Sequence, residues 1–537
     1  MRRSALPVVA ALGVTLLLPQ QQAAAETIDQ PLATGDIQQV GPGTYYSETR
    51  SFEIAETDVA AGLIDRRHAV VAQDSGVAKP QSAPAGRTDM GVFGPGWEAE
   101  FLGGQLNRKL EQQSGAIVVT DLGVNETYRY NLTKSVDYPS GGGVNTYEAT
   151  DGSKITETTK WDSAAGAMTT TVVETLGVDL AATEAGDDTF TDASGNPIPA
   201  ADLKPTYTWK QAAPGTDKWR VTGVGSVANG TSTVGYDTQG RVSTITEPAA
   251  GETPEQSVRV TYATATTASG TALGDFAGRA KQITVTTGGT TQTLARYAYD
   301  SAGLLRSLTN PVESTEPVAS YAYDTTGRVT EVTSPDNGAW DLTFPAESAA
   351  PNVEETGLAR PARESQLQGA AGIHDTDGTA PPATDFTGGE ISDPQAYPRH
   401  CNTATSWLWY LKSGCAAKVA HYGWHNPYWK VTAAGYLVVG INHDHCTSSP
   451  DKPLGFDFRA ACDMHDYGYG LIGNTYKGYK YYLDRNKKSN VDYAFHTTLR
   501  DYTCTAYRKK GHCQAVALGY LKAVQKKGNP KNGANAT

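Results

Sequence analysis

Cysteine is missing from the first 400 residues of this 537-residue chain, although six cysteines follow from residue 401 onward. The six are Cys401, Cys415, Cys446, Cys462, Cys504 and Cys513. None has the Cys-x-x-Cys spacing of a zinc knuckle, so no structural zinc site is predicted. Cysteines confined to one part of a chain are typical of a small disulfide-bonded module in an oxidising compartment. Six cysteines allow 15 pairings, and the simplest joins neighbours: 401 with 415, 446 with 462, and 504 with 513.

Long apolar runs are also missing, so no membrane-spanning helix is predicted. The run Val8–Leu18 has eleven residues, too few to cross a hydrocarbon layer of roughly 30 Å. Arg2 and Arg3 precede this run, and three alanines, Ala23 to Ala25, follow it. This order is typical of a secretory signal peptide. We therefore predict that residues 1–25 are a signal peptide and that the chain is secreted.

Helical periodicity is scarce between residues 26 and 345, where Thr, Val, Tyr and Gly dominate. Short alternating stretches separated by turn residues predict β-strands there. Three segments share a four-residue turn with Asp first and Gly fourth: Tyr236–Val242, Tyr299–Leu305 and Tyr323–Val329. Type I turns favour Asp and Gly at these positions. Each segment is therefore predicted to be a hairpin, and repeated hairpins imply a stacked or spiralling sheet.

These three segments resemble the YD repeats of the RHS family, and Phe93–Trp97 resembles a segment seen ahead of such repeats. The resemblance implies a β-rich scaffold that carries a toxin or an enzyme at its C-terminus. An unrelated β-sandwich with similar turns is the alternative. Because His68 is the only histidine between residues 26 and 345, no chemistry is predicted for this region, although it could bind a cell-surface target.

Residues 346–400 have the composition of a linker, since Ala, Pro, Gly, Thr, Asp and Glu replace large apolar residues. Basic residues within Leu358–Arg363 suggest that proteolysis there frees the C-terminal part. Helical patterns return after residue 401, at about 405–424, 458–469, 484–507 and 513–526. The expected fold class is a multidomain chain: a β-rich body of YD-repeat type (residues 26–345), then a small, mostly α-helical, disulfide-bonded domain (residues 401–537).

Charge divides the chain at the same place. The whole chain has a formal net charge of -12, yet 18 Lys and Arg stand against 8 Asp and Glu from Cys401 onward. Such asymmetry suggests modules with different partners. A basic domain on an acidic body can bind anionic lipid or nucleic acid, or it can dock on the acidic body of the same chain.

The segment Cys462–Asp466 places a cysteine, a potential general base and a potential metal ligand within about one helical turn. Asp444 lies two residues before Cys446, and Asp466 lies four after Cys462. If those cysteines are joined, the crosslink draws both carboxylates towards one site. Two carboxylates with loop carbonyls and water suit a hard cation, and calcium is the expected ion in an exported protein.

Several spaced motifs occur between residues 444 and 513: in chain order, Asp444-His445-Cys446, Pro453–Phe456, Cys462–Tyr469, Asp492–Phe495, and the pair Cys504 and Cys513. Together they resemble the motifs of the bacterial secreted phospholipase A2 family. The resemblance implies that the C-terminal domain hydrolyses the sn-2 ester of glycerophospholipids to a lysophospholipid and a fatty acid. A phospholipid membrane or micelle is then the substrate surface, and no nucleic-acid partner is expected.

The resemblance also implies roles for individual residues. His465 and Asp492 are the candidate catalytic residues: His465 would take a proton from water, and Asp492 would hold its imidazole. Asp444, the backbone carbonyl of His445 and Asp466 would bind Ca²⁺, which would polarise the ester carbonyl. His465 and Asp492 are 27 residues apart, a separation that suits two antiparallel helices and a turn.

Two other functions fit parts of the pattern. The run His443-Asp444-His445 has metal-ligand spacing, and with the basic charge it suits a metal-dependent nuclease carried by an RHS-type toxin. A noncatalytic surface-binding adhesin is the other alternative. The joint presence of His465, Asp466 and Asp492 argues against that adhesin.

Overall fold

A computed structural model of the chain covers most of the predicted body and much of the C-terminal domain. The described residues are 37–74, 76–84, 87–178, 190–192, 194–212, 218–251, 253–335, 337–357, 429–431, 437–439, 445–477, 485–507 and 509–532. The predicted signal peptide and residues 358–428 lie outside these ranges, and so do Asp444 and the predicted pair Cys401 and Cys415. No helix within these ranges is long and apolar enough to cross a membrane.

The N-terminal part of the body is a six-stranded antiparallel sheet. Its strands are β1 (Ile37–Val40), β2 (Gly43–Tyr46), β3 (Ser51–Val59), β4 (Ile64–Val71), β5 (Lys79–Pro80) and β6 (Trp97–Glu100). Strand β4 pairs with β3 along one edge and with both β5 and β6 along the other. The apolar side chains of Phe52, Ile54 and Ile64 are buried, so this sheet belongs to the core.

The rest of the body is one antiparallel meander. Its strands are β7 (Arg108–Gln113), β8 (Ala116–Asp121), β9 (Glu126–Asp137), β10 (Gly143–Glu148), β11 (Lys154–Asp162), β12 (Ala167–Thr175), β13 (Thr206–Gln211), β14 (Trp219–Ser226), β15 (Gly230–Tyr236), β16 (Val242–Glu247), β17 (Gln256–Tyr262), β18 (Ala280–Thr287), β19 (Thr290–Tyr299), β20 (Leu305–Thr309), β21 (Ala319–Tyr323), β22 (Val329–Ser334), β23 (Gly338–Thr343) and β24 (Asn352–Gly357). The sheet closes on itself, and β7 lies against β14. A short helix, α1 (Ala200–Leu203), precedes β13. Because β24 pairs with β23, β structure continues past residue 345 into the range predicted as a linker.

The three repeat segments form the predicted hairpin turns. In each turn the Gly amide donates a hydrogen bond to the Asp carbonyl; the pairs are Gly240 with Asp237, Gly303 with Asp300, and Gly327 with Asp324. The three glycines have φ of 78°, 79° and 88°, a backbone conformation that glycine adopts at no steric cost. The turns join β15 to β16, β19 to β20 and β21 to β22. The repeated motif therefore marks three of the hairpins of the closed sheet.

The N-terminal sheet packs against buried side chains of the closed sheet. Arg66 on β4 forms an ion pair with Asp58 at 2.8 Å, and both side chains are almost completely buried. Arg66 also donates a hydrogen bond to the hydroxyl of Tyr321, and the hydroxyl of Tyr297 donates one to Asp58. The guanidinium lies 4.1 Å from the centroid of the Trp97 ring. Paired and hydrogen-bonded charges thus join the two sheets inside the core.

The C-terminal part contains helices and a small sheet. Strand β25 (Trp429–Val431) pairs with β26 (Leu437–Val439). The helices are α2 (Arg459–Lys477), α3 (Lys488–Thr498) and α4 (Lys510–Lys527). Shorter 3-10 turns occur at Pro453–Gly455, Arg485–Lys487, Cys504–Ala506 and Pro530–Asn532. The chain therefore has a large β-rich body and a C-terminal region with helices, as the fold class predicted.

Helices α2, α3 and α4 differ from their predicted limits, and α4 begins at Lys510, three residues before the predicted start. Helix α2 runs past residue 469 to Lys477, because Tyr469 and Ile472 continue its buried face. The helix predicted at 484–507 is interrupted after Thr498 by a π-helical turn, Leu499–Thr503. Within that turn, Arg500 is buried and pairs with Asp65 of the body. The predicted helix at 405–424 lies outside the described residues.

Helix α4 lies along one rim of the closed sheet. Alternate connections of an antiparallel meander lie at the same edge of the sheet, and α4 contacts several of these connections, among them three through charged side chains. His512 lies 3.2 Å from Asp151 after β10. Lys522 pairs with Glu247 at the end of β16, at 2.5 Å, and Lys526 donates to the carbonyl of Ala228 after β14. The prediction that the basic domain can dock on its own body is confirmed by these contacts.

Candidate active site

Helices α2 and α3 pack together and bring His465 to Asp492. Nε2 of His465 lies 2.9 Å from Oδ1 of Asp492, which is a hydrogen bond. His465 is 7% exposed and Asp492 is 1% exposed, so the pair is shielded from water. Because the bond uses Nε2, the other ring nitrogen, Nδ1, is the atom that can act on a second group. The predicted meeting of these two residues on facing helices is therefore what the structure shows.

Two further donors converge on the Asp492 carboxylate. The hydroxyl of Tyr469 donates to Oδ1 at 2.8 Å, and Nζ of Lys488 donates to Oδ2 at 2.7 Å. Burial and the nearby Asp492 raise the pKa of Tyr469 well above its ordinary value, so the phenol keeps its proton and remains a donor. Both oxygens of a nearly fully buried carboxylate are thus satisfied, as a buried charge requires.

The roles of Tyr469 and Lys488 were not predicted, yet the sequence contains a signal for each. Tyr469 lies four residues after His465, and Lys488 lies four residues before Asp492. Side chains separated by four positions share one face of a helix. A donor at that spacing from each member of the His–Asp pair is therefore a recognisable pattern once both helices are assigned.

The imidazole of His465 is bordered by aromatic rings. Its ring centroid is 4.1 Å from that of Tyr469 and 5.0 Å from that of Phe495. Tyr469 and Phe495 are themselves buried. These contacts restrict the orientation of the imidazole, and the hydrogen bond to Asp492 fixes which nitrogen faces the carboxylate.

Two of the three predicted disulfides are present among the described residues. Cys446 is joined to Cys462, with Cα atoms 5.1 Å apart, and Cys504 is joined to Cys513, with Cα atoms 5.4 Å apart. Cys462 lies in the first turn of α2, so the first disulfide holds the loop at residue 445 one turn before His465. The amide of Cys446 also donates to the Asp451 side chain, which closes that loop.

The predicted calcium ligands are placed only in part. Asp444 lies outside the described residues. His445 has a φ of 64°, and its carbonyl accepts a hydrogen bond from the amide of Thr447 at 3.2 Å. Asp466 is 8% exposed and follows His465 on α2. Among the described residues, no group of three or more His, Cys, Asp or Glu side chains could hold a metal ion. The two proposed ligands that the structure describes, the His445 carbonyl and the Asp466 carboxylate, are oxygen donors of the type that calcium prefers.

Comparison with known proteins agrees with both resemblances. Residues 431–528 match the family model for prokaryotic phospholipase A2, and residues 299–339 match the RHS repeat. A secretory phospholipase A2 of Arthroderma benhamiae (strain ATCC MYA-4681 / CBS 112371) is 45% identical over 51 residues, or 9% of this chain and 34% of the relative. The chain thus spans about a third of the length of this curated relative. The chain carries a phospholipase A2 domain near its C-terminus and an RHS repeat before it, as the sequence predicted.

Proposed function

We propose that the C-terminal domain, residues 401–537, is a secreted, calcium-dependent phospholipase A2 that hydrolyses the sn-2 ester of glycerophospholipids. The products are a lysophospholipid and a fatty acid. The observation that carries the proposal is the buried hydrogen bond between His465 and Asp492, which lies inside the range that matches the prokaryotic phospholipase A2 model.

His465 acts as the general base in this proposal. With Nε2 bonded to Asp492, Nδ1 accepts a proton from a water molecule, and that water attacks the ester carbonyl. Asp492 fixes the tautomer and stabilises the imidazolium that forms. The proton then passes from His465 to the departing alkoxide. Because water is the nucleophile, no acyl-enzyme forms. Tyr469 and Lys488 act on the reaction through Asp492.

Calcium fits the oxygen donors near His465. Asp444, the backbone carbonyl of His445 and the carboxylate of Asp466 would hold the ion. When bound, Ca²⁺ supplies polarisation of the ester carbonyl and stabilises the negative charge that develops on its oxygen. The Cys446–Cys462 disulfide supports this set, because it ties the loop of His445 to the helix that carries Asp466.

Secretion and a phospholipid surface complete the proposal. Disulfides persist in oxidising compartments, and the partial relative is described as secretory. A signal peptide at residues 1–25 would direct export. The substrate is presented by a membrane or micelle, and the β-rich body is proposed to bind a cell-surface target.

The test uses the full chain with its disulfides formed. Fatty-acid release from phosphatidylcholine and phosphatidylglycerol vesicles is measured with calcium, with a chelator, and for His465→Gln. We expect release with calcium, and a loss of about 100-fold or more with chelator or with His465→Gln. His374→Gln, in the predicted linker, is the matched control and should retain the rate.

The same preparation separates the alternatives. Cleavage of plasmid DNA with intact lipid would support the metal-dependent nuclease and overturn the phospholipase. Binding to vesicles or cells without any hydrolysis would favour the adhesin. Lipolysis that is indifferent to chelator and to His465→Gln would contradict the proposed mechanism.

A further inference from the structure

The body contacts the same end of helix α4 that supports the His465–Asp492 pair. Helix α4 ends at Lys527, and the last turn of a helix has carbonyl groups without partners inside the helix. Lys488 donates to two carbonyls at this end: its Nζ lies 3.1 Å from the carbonyl oxygen of Val524 and 3.4 Å from that of Gln525. The Val524 carbonyl also accepts a hydrogen bond from the amide of Gly528, the residue after the helix. The negative end of the α4 dipole and the Asp492 carboxylate therefore share one ammonium group.

A second contact links this helix end to the active site. A methyl group added at Gly528, the residue after α4, would overlap the hydroxyl of Tyr469. The chain can leave α4 so close to Tyr469 only because residue 528 lacks a side chain. Among the described residues, Tyr469 and Lys488 donate to Asp492 besides His465, and both lie against the end of α4.

On its other side, the end of α4 meets the connection between β16 and β17. A Cβ added at Gly251 in that connection would lie 2.6 Å from the carbonyl oxygen of Lys526 and 2.8 Å from that of Gln525. Glu247, four residues earlier, pairs with the buried Lys522 at 2.5 Å. The same Gln525 carbonyl thus faces Gly251 of the body and Lys488 of the site.

We propose that the β16–β17 connection of the body is a positioning element of the phospholipase site, acting from Gly251 through the end of α4 and Lys488 to Asp492. The inference rests on the proposed function and extends it, because it makes the docked body part of the working enzyme. A shift of the α4 end moves the Lys488 ammonium, and Asp492 then loses the geometry that orients His465. Displacement of a positioned group by about 1 Å can lower a rate on the order of 100-fold.

The test compares two glycines with the same φ. Gly251 and Gly270 both have a φ of 57°, so alanine meets the same unfavourable φ at either position. A Cβ at Gly270 meets nothing within 4 Å, whereas one at Gly251 meets α4. In the full chain we expect Gly251→Ala to lower kcat on phosphatidylcholine vesicles about 10-fold with KM unchanged, and Gly270→Ala to retain kcat.

Lys488 provides the second arm. Lys488→Met should lower kcat about 10-fold at constant KM, and Lys488→Arg should restore most of it, because Arg keeps the charge and the donors. The kcat of the Gly251→Ala, Lys488→Met double variant should be no lower than that of the worse single variant. Both substitutions act through the same series of contacts, from Gly251 through the end of α4 and Lys488 to Asp492. If Gly251→Ala does not fold, Lys526→Met tests the same helix end from the neighbouring β14–β15 connection, because among the described contacts it removes the bond from Lys526 to Ala228. It should lower kcat in the same direction, and an unchanged kcat would contradict a role for this helix end.

Hydrogen exchange supplies a readout that does not depend on activity. Gly251→Ala and Lys488→Met should both increase amide exchange in α3 around Asp492, and Gly270→Ala should not. A wild-type chain that fails to hydrolyse phospholipid overturns the proposed function. The exchange result still tests whether Gly251 and Lys488 affect the structure around Asp492. An active, calcium-dependent wild type with equal kcat and exchange in Gly251→Ala and Gly270→Ala overturns this inference alone.

Discussion

At the scale of single residues, the site depends on how one buried carboxylate is satisfied. Asp492 receives hydrogen bonds from His465, Tyr469 and Lys488, so its negative charge is stabilised without contact with water. An unpaired buried carboxylate would be costly, and it would take up a proton instead. The three donors therefore hold the carboxylate in the orientation in which it meets His465.

Asp492→Asn tests the electrostatic role of this carboxylate. The amide keeps the size of the side chain but removes the charge, so the imidazolium formed at His465 loses its stabilising partner. We expect kcat to fall on the order of 100-fold or more while vesicle binding is retained. Initial rates and vesicle co-sedimentation measure the two effects. An unchanged kcat would show that Asp492 does not orient His465.

His496 gives a prediction for pH. It is buried beside Arg500, and burial first and the Arg500 charge second lower its pKa to about 3. Because its unfolded pKa is about 6.5, the unfolded chain takes up a proton that the folded chain refuses as the pH falls. Stability should therefore be lost between pH 6.5 and pH 3. Lys522 and Asp501 are the other charges that act on this ring.

His496→Leu should lose less stability than the wild type between pH 7 and pH 4, as measured by urea unfolding at both values. His374→Leu, in the predicted linker, is the control and should keep the wild-type pH dependence. An equal loss in His496→Leu and the wild type would contradict the assignment of this effect to His496.

At the scale of elements, the Cys446–Cys462 disulfide joins the loop at residue 445 to the start of α2. The sequence separation of 16 places it among loops for which the chain-entropy model gives about 3 kcal/mol of stabilisation. Asp466 follows in the next turn of α2. The disulfide therefore serves both stability and the geometry of the proposed calcium ligands.

A Cys446→Ala, Cys462→Ala double variant should lower the free energy of unfolding by about 2 to 4 kcal/mol. It should also need more calcium for half-maximal hydrolysis, because the loop at residue 445 is no longer fixed beside Asp466. Cys504→Ala with Cys513→Ala is the comparison, and it should lower stability without changing the calcium requirement. An equal shift in calcium requirement for both pairs would contradict the local role.

Several elements could be predicted because their determinants are local. The Asp–Gly turns specify hairpins through residues three positions apart, and helical spacing marks α2 and α4. The limits of the helix predicted at 484–507 could not be predicted from the sequence. Arg500 lies in a π-helical turn there and pairs with Asp65, 435 residues away. No periodic pattern contains that contact. The closure of the sheet and the position of Lys488 against α4 also depend on tertiary packing.

At the scale of the whole molecule, the C-terminal domain docks on the body through buried charges. Arg500 pairs with Asp65, Arg67 of β4 lies 3.3 Å from Asp501, and Lys522 pairs with Glu247. Buried apolar residues of both parts, such as Leu63 and Phe495, belong to one hydrophobic cluster. The body and the domain therefore share a core. This interface disfavours spontaneous release of the domain after cleavage in the predicted linker.

Arg500→Met tests this interface. Removing the guanidinium leaves the buried Asp65 without the cation it pairs with, while Asp501 keeps Arg67. Breaking a buried ion pair in this way costs about 3 to 5 kcal/mol. We expect a lower denaturation midpoint for the full chain. Arg129→Met is the matched control, because Arg129 is exposed and bonds only to amide side chains in the described structure. Equal midpoints for Arg500→Met and the wild type would show that the docked charges contribute nothing.

The most direct test of the central claim uses phosphatidylcholine with a different labelled acyl chain at each position. The full chain is incubated with these vesicles in calcium, in chelator, and as His465→Gln. The account predicts release of the sn-2 chain alone, only with calcium, and a loss of about 100-fold or more in His465→Gln. Release of the sn-1 chain, or sn-2 release that survives both chelator and His465→Gln, would contradict it.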